Sequence, residues 1–312
     1  MDGRPFNYGL DNEMANPVAR REKDNKSKSN QFTGNAYIDI DLFKGLKFHS
    51  DINISNNIYK NSAFSPLVSN DINTYFQPFV STLSISNSES LTTSVNFRLD
   101  YKLKKDEHDF TAMAGFGSDR SESESQSYDF EDFPNDDKLN NIGAAKHMVY
   151  YYDGNQKSGL NSVYSRLSYG YDNKYLSELS FRADESSKFG PGNRWGLFPA
   201  LSLGWRLKNE DFLVDNYAVD DLKMRLSWGQ TGSTNVPDFS YRQYFERTAN
   251  DLYGEEMAIM IRNLLPNRDV RWEMTTEWNA GIDFAFFNHR LQGSLDLYHR
   301  YTDGALAPAP HI

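Results

Sequence analysis

The amino-acid sequence predicts an all-β protein, an antiparallel β-barrel that crosses a membrane. Three features predict it: long segments in which apolar and polar residues alternate, a mean hydropathy of -0.70 despite 14% aromatic residues, and short turns that alternate along the chain with long polar connections. Successive side chains of a strand point to opposite faces, so each alternating segment has one apolar and one polar face. A run of roughly 18 apolar residues, which a helical span requires, does not occur in the sequence.

The clearest element is the segment 91–103. Its odd positions are apolar or uncharged and its even positions are polar or charged, including Arg98, Asp100 and Lys102. At about 3.3 Å per residue and a tilt of roughly 40°, such a strand crosses the ~25 Å apolar band of an outer membrane. A strand of a soluble sandwich needs only about half this length.

The same pattern predicts ten spanning strands along the chain. These are residues 32–42, 46–55, 91–103, 109–117, 160–171, 174–184, 195–207, 221–229, 272–284 and 290–302. Short turns are expected at 43–45, 104–108, 172–173 and 287–289, and a helical turn within 208–220. Long polar loops are expected at 56–90, 118–159, 186–194 and 231–271. Short turns on one side and long, outward loops on the other are typical of outer-membrane barrels.

Composition excludes several function classes. The net charge of -10 argues against nucleic acid as a partner, because phosphate binding needs a basic face. With no cysteine, the chain has no disulfide framework and no thiolate ligand or nucleophile. The six histidines show no metal-ligand spacing, and no hydrolase or phosphate-loop motif is present. We therefore predict no catalytic residue, no metal and no cofactor. The first residues lack the pattern of a signal peptide, so a fragment is expected for an envelope protein.

Three groups of residues are candidates for binding. The inward carboxylates are expected to line a wet barrel wall rather than to form an acid/base pair: Asp39, Asp41, Asp100, Glu273, Glu277 and Asp283. The oxygen-rich run 118–137 has calcium-type ligands but lacks the glycine and spacing of a calcium loop, which favours a mobile solvated loop. Aromatic residues in or beside the long loops are candidates for stacking on sugar rings, although packing at the membrane interface or within the loops is the favoured role for each one: Tyr75, Phe76, Tyr150, Tyr151 and Tyr152.

From residue 160 onward the sequence resembles the SusC/RagA-like TonB-dependent transporters of Bacteroidetes outer membranes. The resemblance rests on the segments 182–190 (RADESSKFG) and 193–206 (NRWGLFPALSLGWR), with Glu185 and Lys188 where the family usually has Gly and Arg. A second match is Asp221-Leu222-Lys223 with Gly229-Gln230-Thr231-Gly232, followed by Ser233 where Asn is usual. A third is Trp272-Glu273, Asn279, Gly281, Asp283 and the segment 287–291; Asn16-Pro17 and the hairpin around Gly45 match more loosely.

The resemblance implies a barrel of about 22 strands, plugged by an N-terminal domain. Residues 1–312 would be part of the barrel domain, with the plug domain, the TonB box and the C-terminal strands absent. It also implies an outer-membrane location in lipid, import of oligosaccharides or peptides, and a SusD-like lipoprotein as a lid. Energy would come from the TonB–ExbB–ExbD system through the missing N-terminal part.

Two other functions remain open at this point. The chain could be a secreted or surface β-rich carbohydrate-binding module that never enters a bilayer. It could also belong to an outer-membrane enzyme, which would require a nucleophile or converging carboxylates that the sequence does not reveal. Exposure of one uncharged parity to lipid distinguishes the barrel from the module.

Overall fold

The computed structural model describes residues 23–66, 80–134, 140–242, 245–247, 259–261 and 267–305. Ten antiparallel strands form one sheet in the order β1-β2-β3-β4-β5-β6-β7-β8-β11-β12, so that sheet neighbours follow one another along the chain. The strands are β1 (Asp24–Phe43), β2 (Leu46–Ser65), β3 (Thr82–Lys105), β4 (His108–Glu131), β5 (His147–Tyr171), β6 (Tyr175–Ser186), β7 (Trp195–Arg206), β8 (Val219–Ser233), β11 (Glu273–Phe286) and β12 (Leu291–Asp303). A separate pair consists of β9 (Phe245–Arg247) and β10 (Ile259–Ile261).

The order of the strands leaves the sheet open. Each internal strand has a neighbour on both sides, whereas β1 and β12 are the two ends of the order. The ten strands and the antiparallel meander predicted from the sequence are thus confirmed. Among the helices in the described ranges, none is long and apolar enough to span a membrane.

The short turns also lie where the sequence predicts them. Gly45 in the β1–β2 turn and Asp106 in the β3–β4 turn have positive φ values of 88° and 52°. Asp172 and Asn173 in the β5–β6 turn are both left-handed, with φ values of 48° and 52°. Two left-handed residues in a row match the twist of the flanking strands, and Asp and Asn tolerate that conformation better than most residues. Within the predicted helical turn at 208–220, the backbone N–H groups of Leu213 and Val214 bond to the carbonyl of Glu210. A 3-10 turn, Leu207–Asn209, precedes it.

The first five strands are much longer than predicted. They contain 20 to 25 residues each, so residues 56–65, 82–90, 118–131 and 147–159 are strand and not loop. The prediction of long loops was therefore wrong over these segments. Both faces of these extensions carry polar residues, so the apolar alternation that identifies a half-buried strand is missing.

One of two compact units contains most of these extensions, and its described residues are 23–34, 54–66, 80–93, 121–134 and 140–157. Its core is a cluster of four buried side chains, Phe64, Leu83, Phe130 and Phe133. Phe64 and Phe133 meet edge to face with ring centroids 5.3 Å apart. The hydroxyl of Ser81 accepts a 2.9 Å hydrogen bond from the backbone N–H of Phe133, which closes the end of β4 against the start of β3.

The described residues of the second unit are 35–53, 94–120, 158–242, 245–247, 259–261 and 267–305, and its sheet separates apolar from polar side chains. Strand pairing places Leu167, Leu179, Leu201, Trp228 and Trp278 in one row across five strands. Most of these side chains are about half exposed although they are apolar, and their neighbours along each strand are polar or small. A slip of one residue in any strand would exchange the two faces, so this row fixes the register.

A small core lies at the end of the second unit where β6 and β7 are joined. Phe189 is fully buried and packs with Phe198, Val236, Val270 and Trp272. The indole N–H of Trp272 donates to the carbonyl of Arg194, 2.9 Å away. Lys188 donates to the carbonyls of Thr234 and Val236 at 3.3 and 3.2 Å. The segment 186–194, which was predicted as a long polar loop, is therefore a connection that packs against the end of the sheet.

Phe189→Ala tests the importance of this core. We expect it to lower the free energy of unfolding by about 3 to 5 kcal/mol, because it removes a buried ring and leaves a cavity. Phe43→Ala, at a ring that is 64% exposed, is the matched control and should change stability much less. Denaturant unfolding of the folded full-length protein measures both, and equal losses would contradict the structural role of the cluster.

Candidate functional site

The polar face of the second unit is the candidate site. It contains an open groove of about 920 Å³ whose lining includes Asp109, Ser168, Glu178, Lys223 and Arg225. These residues have the parity opposite to the apolar row on their strands. The groove therefore lies on the charged side of the sheet, where the sequence predicts a wet wall.

An ion-pair network crosses three strands on this face. Arg225 of β8 makes a bidentate contact with Asp283 of β11, with N–O distances of 2.8 and 2.9 Å. Its second terminal nitrogen lies 3.1 Å from Asp296 of β12. Gly281 stands directly between Arg225 and Asp296 in the strand register. Because Gly281 has no side chain, the guanidinium reaches across β11 to the carboxylate on the far side.

Similar pairs line the rest of the wall. Arg182 contacts Asp184 at 2.8 Å and donates a 2.9 Å hydrogen bond to Ser162 on the neighbouring strand. Further pairs are Arg98–Asp100 at 2.8 Å, Arg300–Glu277 at 2.7 Å and Arg166–Glu178 at 3.5 Å. The ring of His49 is held between Asp39 at 2.7 Å and Asp51 at 3.4 Å.

These contacts show whether the inward carboxylates line a polar wall or form an acid/base pair. Among the candidates, Asp39, Asp100, Glu277 and Asp283 are paired with basic groups. Each pairs with a base on its own or an adjacent strand, and not with a second carboxylate in the arrangement that acid/base hydrolysis uses. A polar, ion-paired wall is the role that the geometry gives them.

The oxygen-rich run 118–137 has a different structure from the one expected. Strand β4 continues to Glu131, so the predicted mobile loop was wrong for residues 118–131, and Asp136 and Asp137 lie outside the described residues. Glu122 pairs with Lys157 at 3.2 Å, and Glu124 accepts a 3.2 Å hydrogen bond from Asn155. In the described part of the chain, no group of three or more His, Cys, Asp or Glu residues could hold a metal ion.

The aromatic candidates fall into two groups. Tyr75 and Phe76 lie outside the described residues. Tyr150, Tyr151 and Tyr152 lie in β5 and not in a loop, and they are 50%, 60% and 48% exposed. Tyr150 and Tyr152 share one face of the strand, and Tyr151 lies on the other. The ring of Tyr152 extends along the strand over Gly154, whose missing side chain leaves room for it.

Sequence reasoning missed the basic half of the wall. Arg182, Arg225 and Arg300 hold the carboxylates in place. The absence of a side chain at Gly281 leaves room for the contact between Arg225 and Asp296, which spans three strands. One signal was available: on consecutive predicted strands, a basic residue at a polar position faces an acidic residue at a polar position. Reading that signal requires the register between strands, which one strand alone does not define.

A meander of long strands with one apolar and one ion-paired face defines the wall of an outer-membrane-type β-barrel. The chain belongs to the TonB-dependent receptor β-barrel family: the family described as "TonB dependent receptor-like, beta-barrel" matches residues 2–311. Members of this family are outer-membrane proteins and are not enzymes. The family and the all-β barrel fold predicted from the sequence are thus confirmed.

Several known proteins are similar to the chain. It is 33% identical over 307 residues to "TonB-dependent receptor SusC" of Bacteroides thetaiotaomicron, covering 95% of this chain and 29% of that relative. It is 30% identical to "TonB-dependent receptor P39" of Formosa agariphila, covering 95% and 28%. The solved "Structure of the RagAB peptide transporter" has the same fold, with a TM-score of 0.84 at 24% identity, covering 94% of this chain and 32% of that one. The chain thus spans about three tenths of the length of these relatives.

Gly281→Ala tests the three-strand network. A Cβ at this position would lie 2.5 Å from an oxygen of Asp296 and 2.8 Å from a nitrogen of Arg225, so the contact must open. We expect a small loss, of at most about 1 kcal/mol in the free energy of unfolding, because the displaced atoms are the ends of flexible, partly exposed side chains. Gly170→Ala is the control, because its nearest neighbour would be an ordinary 3.4 Å contact with Leu176. If both variants unfolded at the same denaturant concentration, Gly281 would have no special role.

Proposed function

We propose that this chain is a section of the barrel wall of an outer-membrane active transporter. One observation carries the proposal: apolar, exposed side chains occupy one parity of the strands, and ion pairs occupy the other. In a bilayer the first face meets lipid and the second faces the interior of the barrel. The remaining strands, the plug domain and the TonB box then belong to the rest of the full-length protein.

For the cargo, we propose an oligosaccharide first and a peptide second. Similarity to SusC supports membership in a nutrient-importing branch of the family. The peptide alternative is supported by the fold shared with the RagAB peptide transporter. The exposed tyrosines of β5 favour the oligosaccharide, because flat aromatic rings offer an apolar face with a polar tip. The proposed partners are a SusD-like lipoprotein at the outer side and the TonB–ExbB–ExbD system at the inner side.

Leu201→Arg and Ser202→Arg test the location in the membrane. The two residues are adjacent on β7, with Leu201 in the apolar row and Ser202 in the polar wall. Arg at position 201 should cost roughly 2 to 4 kcal/mol near the bilayer midplane, and Arg at position 202 should cost little. The measurement is folding of the full-length protein into lipid vesicles.

Equal costs at positions 201 and 202 would contradict the barrel. A folded, water-soluble monomer that tolerates both substitutions would instead support the secreted carbohydrate-binding module. Because the neighbouring residues share the same strand and depth, a general effect of Arg on β7 cannot mimic the expected difference.

The combined replacement of Tyr150 and Tyr152 by Ser tests the binding surface. We expect it to reduce uptake of oligosaccharide at low concentration, because both exposed rings on one face of β5 are lost. Tyr151→Ser, on the other face, is the control. Uptake of radiolabelled oligosaccharides and of radiolabelled peptides is measured in cells that carry each full-length variant. Normal oligosaccharide uptake by the double variant would reject these tyrosines as contacts, and uptake of peptides alone would reject the preferred cargo.

A further inference from the structure

The connection 207–218 between β7 and β8 folds against the outward-facing side of the sheet. The carboxylate of Glu210 accepts hydrogen bonds from the hydroxyl of Tyr175 at 2.7 Å and from the indole N–H of Trp205 at 2.8 Å. Tyr175 and Trp205 belong to the apolar parity of β6 and β7. These two bonds therefore hold the connection on the side that also carries Leu201 and Leu203.

A row of aromatic rings leads up to this connection. Tyr171, Tyr175 and Trp205 are direct partners on three neighbouring strands. Their ring centroids lie 6.4 and 6.5 Å apart, and each pair is inclined by only 17°. Aromatic rings with one apolar and one polar end are enriched where a barrel leaves the hydrocarbon layer. The row thus marks the boundary of the apolar band on the short-turn side.

The backbone of the connection satisfies many of its own hydrogen bonds. The ammonium group of Lys208 donates to the carbonyls of Leu213, Val214 and Asn216 at 3.2, 3.1 and 3.0 Å. The N–H groups of Leu213 and Val214 each bond to the carbonyl of Glu210 at 2.8 Å. Backbone groups that are paired within a segment do not need water, so such a segment can lie in a membrane interface.

The connection carries both large apolar side chains and acidic side chains. Phe212, Val214 and Tyr217 are 67%, 50% and 93% exposed, although all three have large apolar surfaces. The carboxylate of Asp211, by contrast, is fully in solvent. Hydrogen bonds from Tyr175 and Trp205 lower the pKa of Glu210, so this group is ionised at neutral pH. With three acidic residues against Lys208, the segment has no electrostatic attraction to an anionic surface.

We propose that the connection 207–218 is an interfacial anchor that inserts Phe212, Val214 and Tyr217 into the phospholipid leaflet on the short-turn side. The occupant is lipid because the bonds of Glu210 hold the connection on the apolar side of β6 and β7, beside the ring row. The three large apolar side chains of the connection are exposed there rather than buried against protein. Burial of apolar surface drives the insertion, and charge does not. The inference rests on the proposed function, since it requires the barrel to lie in a bilayer.

Site-specific fluorescence tests the anchor in the full-length protein. The sequence contains no cysteine, so a single Cys can be introduced at Val214, Asp211 or Leu201 and labelled with an environment-sensitive dye. Any cysteine elsewhere in the full-length protein is first replaced by Ser. In phosphatidylcholine vesicles, doxyl lipids should quench the labels at 214 and 201, and aqueous iodide should quench the label at 211. High salt should leave the lipid quenching at 214 unchanged.

The three positions separate failure of the anchor from failure of the transporter. Iodide quenching at 214 equal to that at 211, with lipid quenching retained at 201, would refute the anchor and leave the barrel in the membrane. Loss of lipid quenching at 201 as well would refute both.

A double variant tests which side chains carry the insertion. Phe212→Ser combined with Tyr217→Ser should abolish lipid quenching of a label at 214, whereas Phe287→Ser, at an exposed ring in the β11–β12 turn, should not. The label at 201 reports in each variant that the barrel has folded and inserted. Unchanged quenching at 214 in the double variant would overturn the role of the aromatic side chains.

Discussion

The structure depends on one constraint: a strand has a side-chain period of two, and its backbone groups must be paired with the strands beside it. In lipid no water replaces a missing partner, so adjacent strands have to be continuous and in register. The row from Leu167 to Trp278 meets this demand across five strands, and the residues between its members point the other way. The apolar band and the polar wall both follow from that alternation.

The ion pairs of the wall neutralise the charges of its carboxylates, and they are not a large source of stability. Pairs as exposed as Arg300–Glu277 or Arg98–Asp100 add little to stability, because water and salt screen the attraction. The chain has a net charge of -10, so unpaired carboxylates on a concentrated polar face would repel one another. Arg225, held by Asp283 and Asp296, neutralises two carboxylates at once across three strands. A register slip would place such groups against lipid, which penalises wrong pairings.

The sequence was sufficient to predict the ten strands, their turns and the polarity of their faces, because each of these leaves a local pattern. Asp172-Asn173 indicates a tight turn through backbone preference alone, and the segment 91–103 indicates a strand through its period. The extensions of β1 to β5 left no such pattern, since Ser121 to Ser125 alternates two polar residue types and is wet on both faces. Contacts between strands were equally hidden: Gly281 looks like a weak point in a strand until Arg225 and Asp296 are seen on either side of it.

The segment 186–194 has a consequence for how relatives of this chain should be compared. It overlaps both segments, 182–190 and 193–206, on which the first match to the SusC/RagA-like family rests. Its residues nevertheless serve to bury Phe189, to join Arg194 to Trp272 and to bond the backbone at Thr234 and Val236. Sequence similarity in this segment therefore indicates a shared fold and says little about substrate selectivity. Two family members can keep the packing of this segment unchanged and still differ in what they bind, because binding selectivity can evolve on other surfaces without affecting that packing.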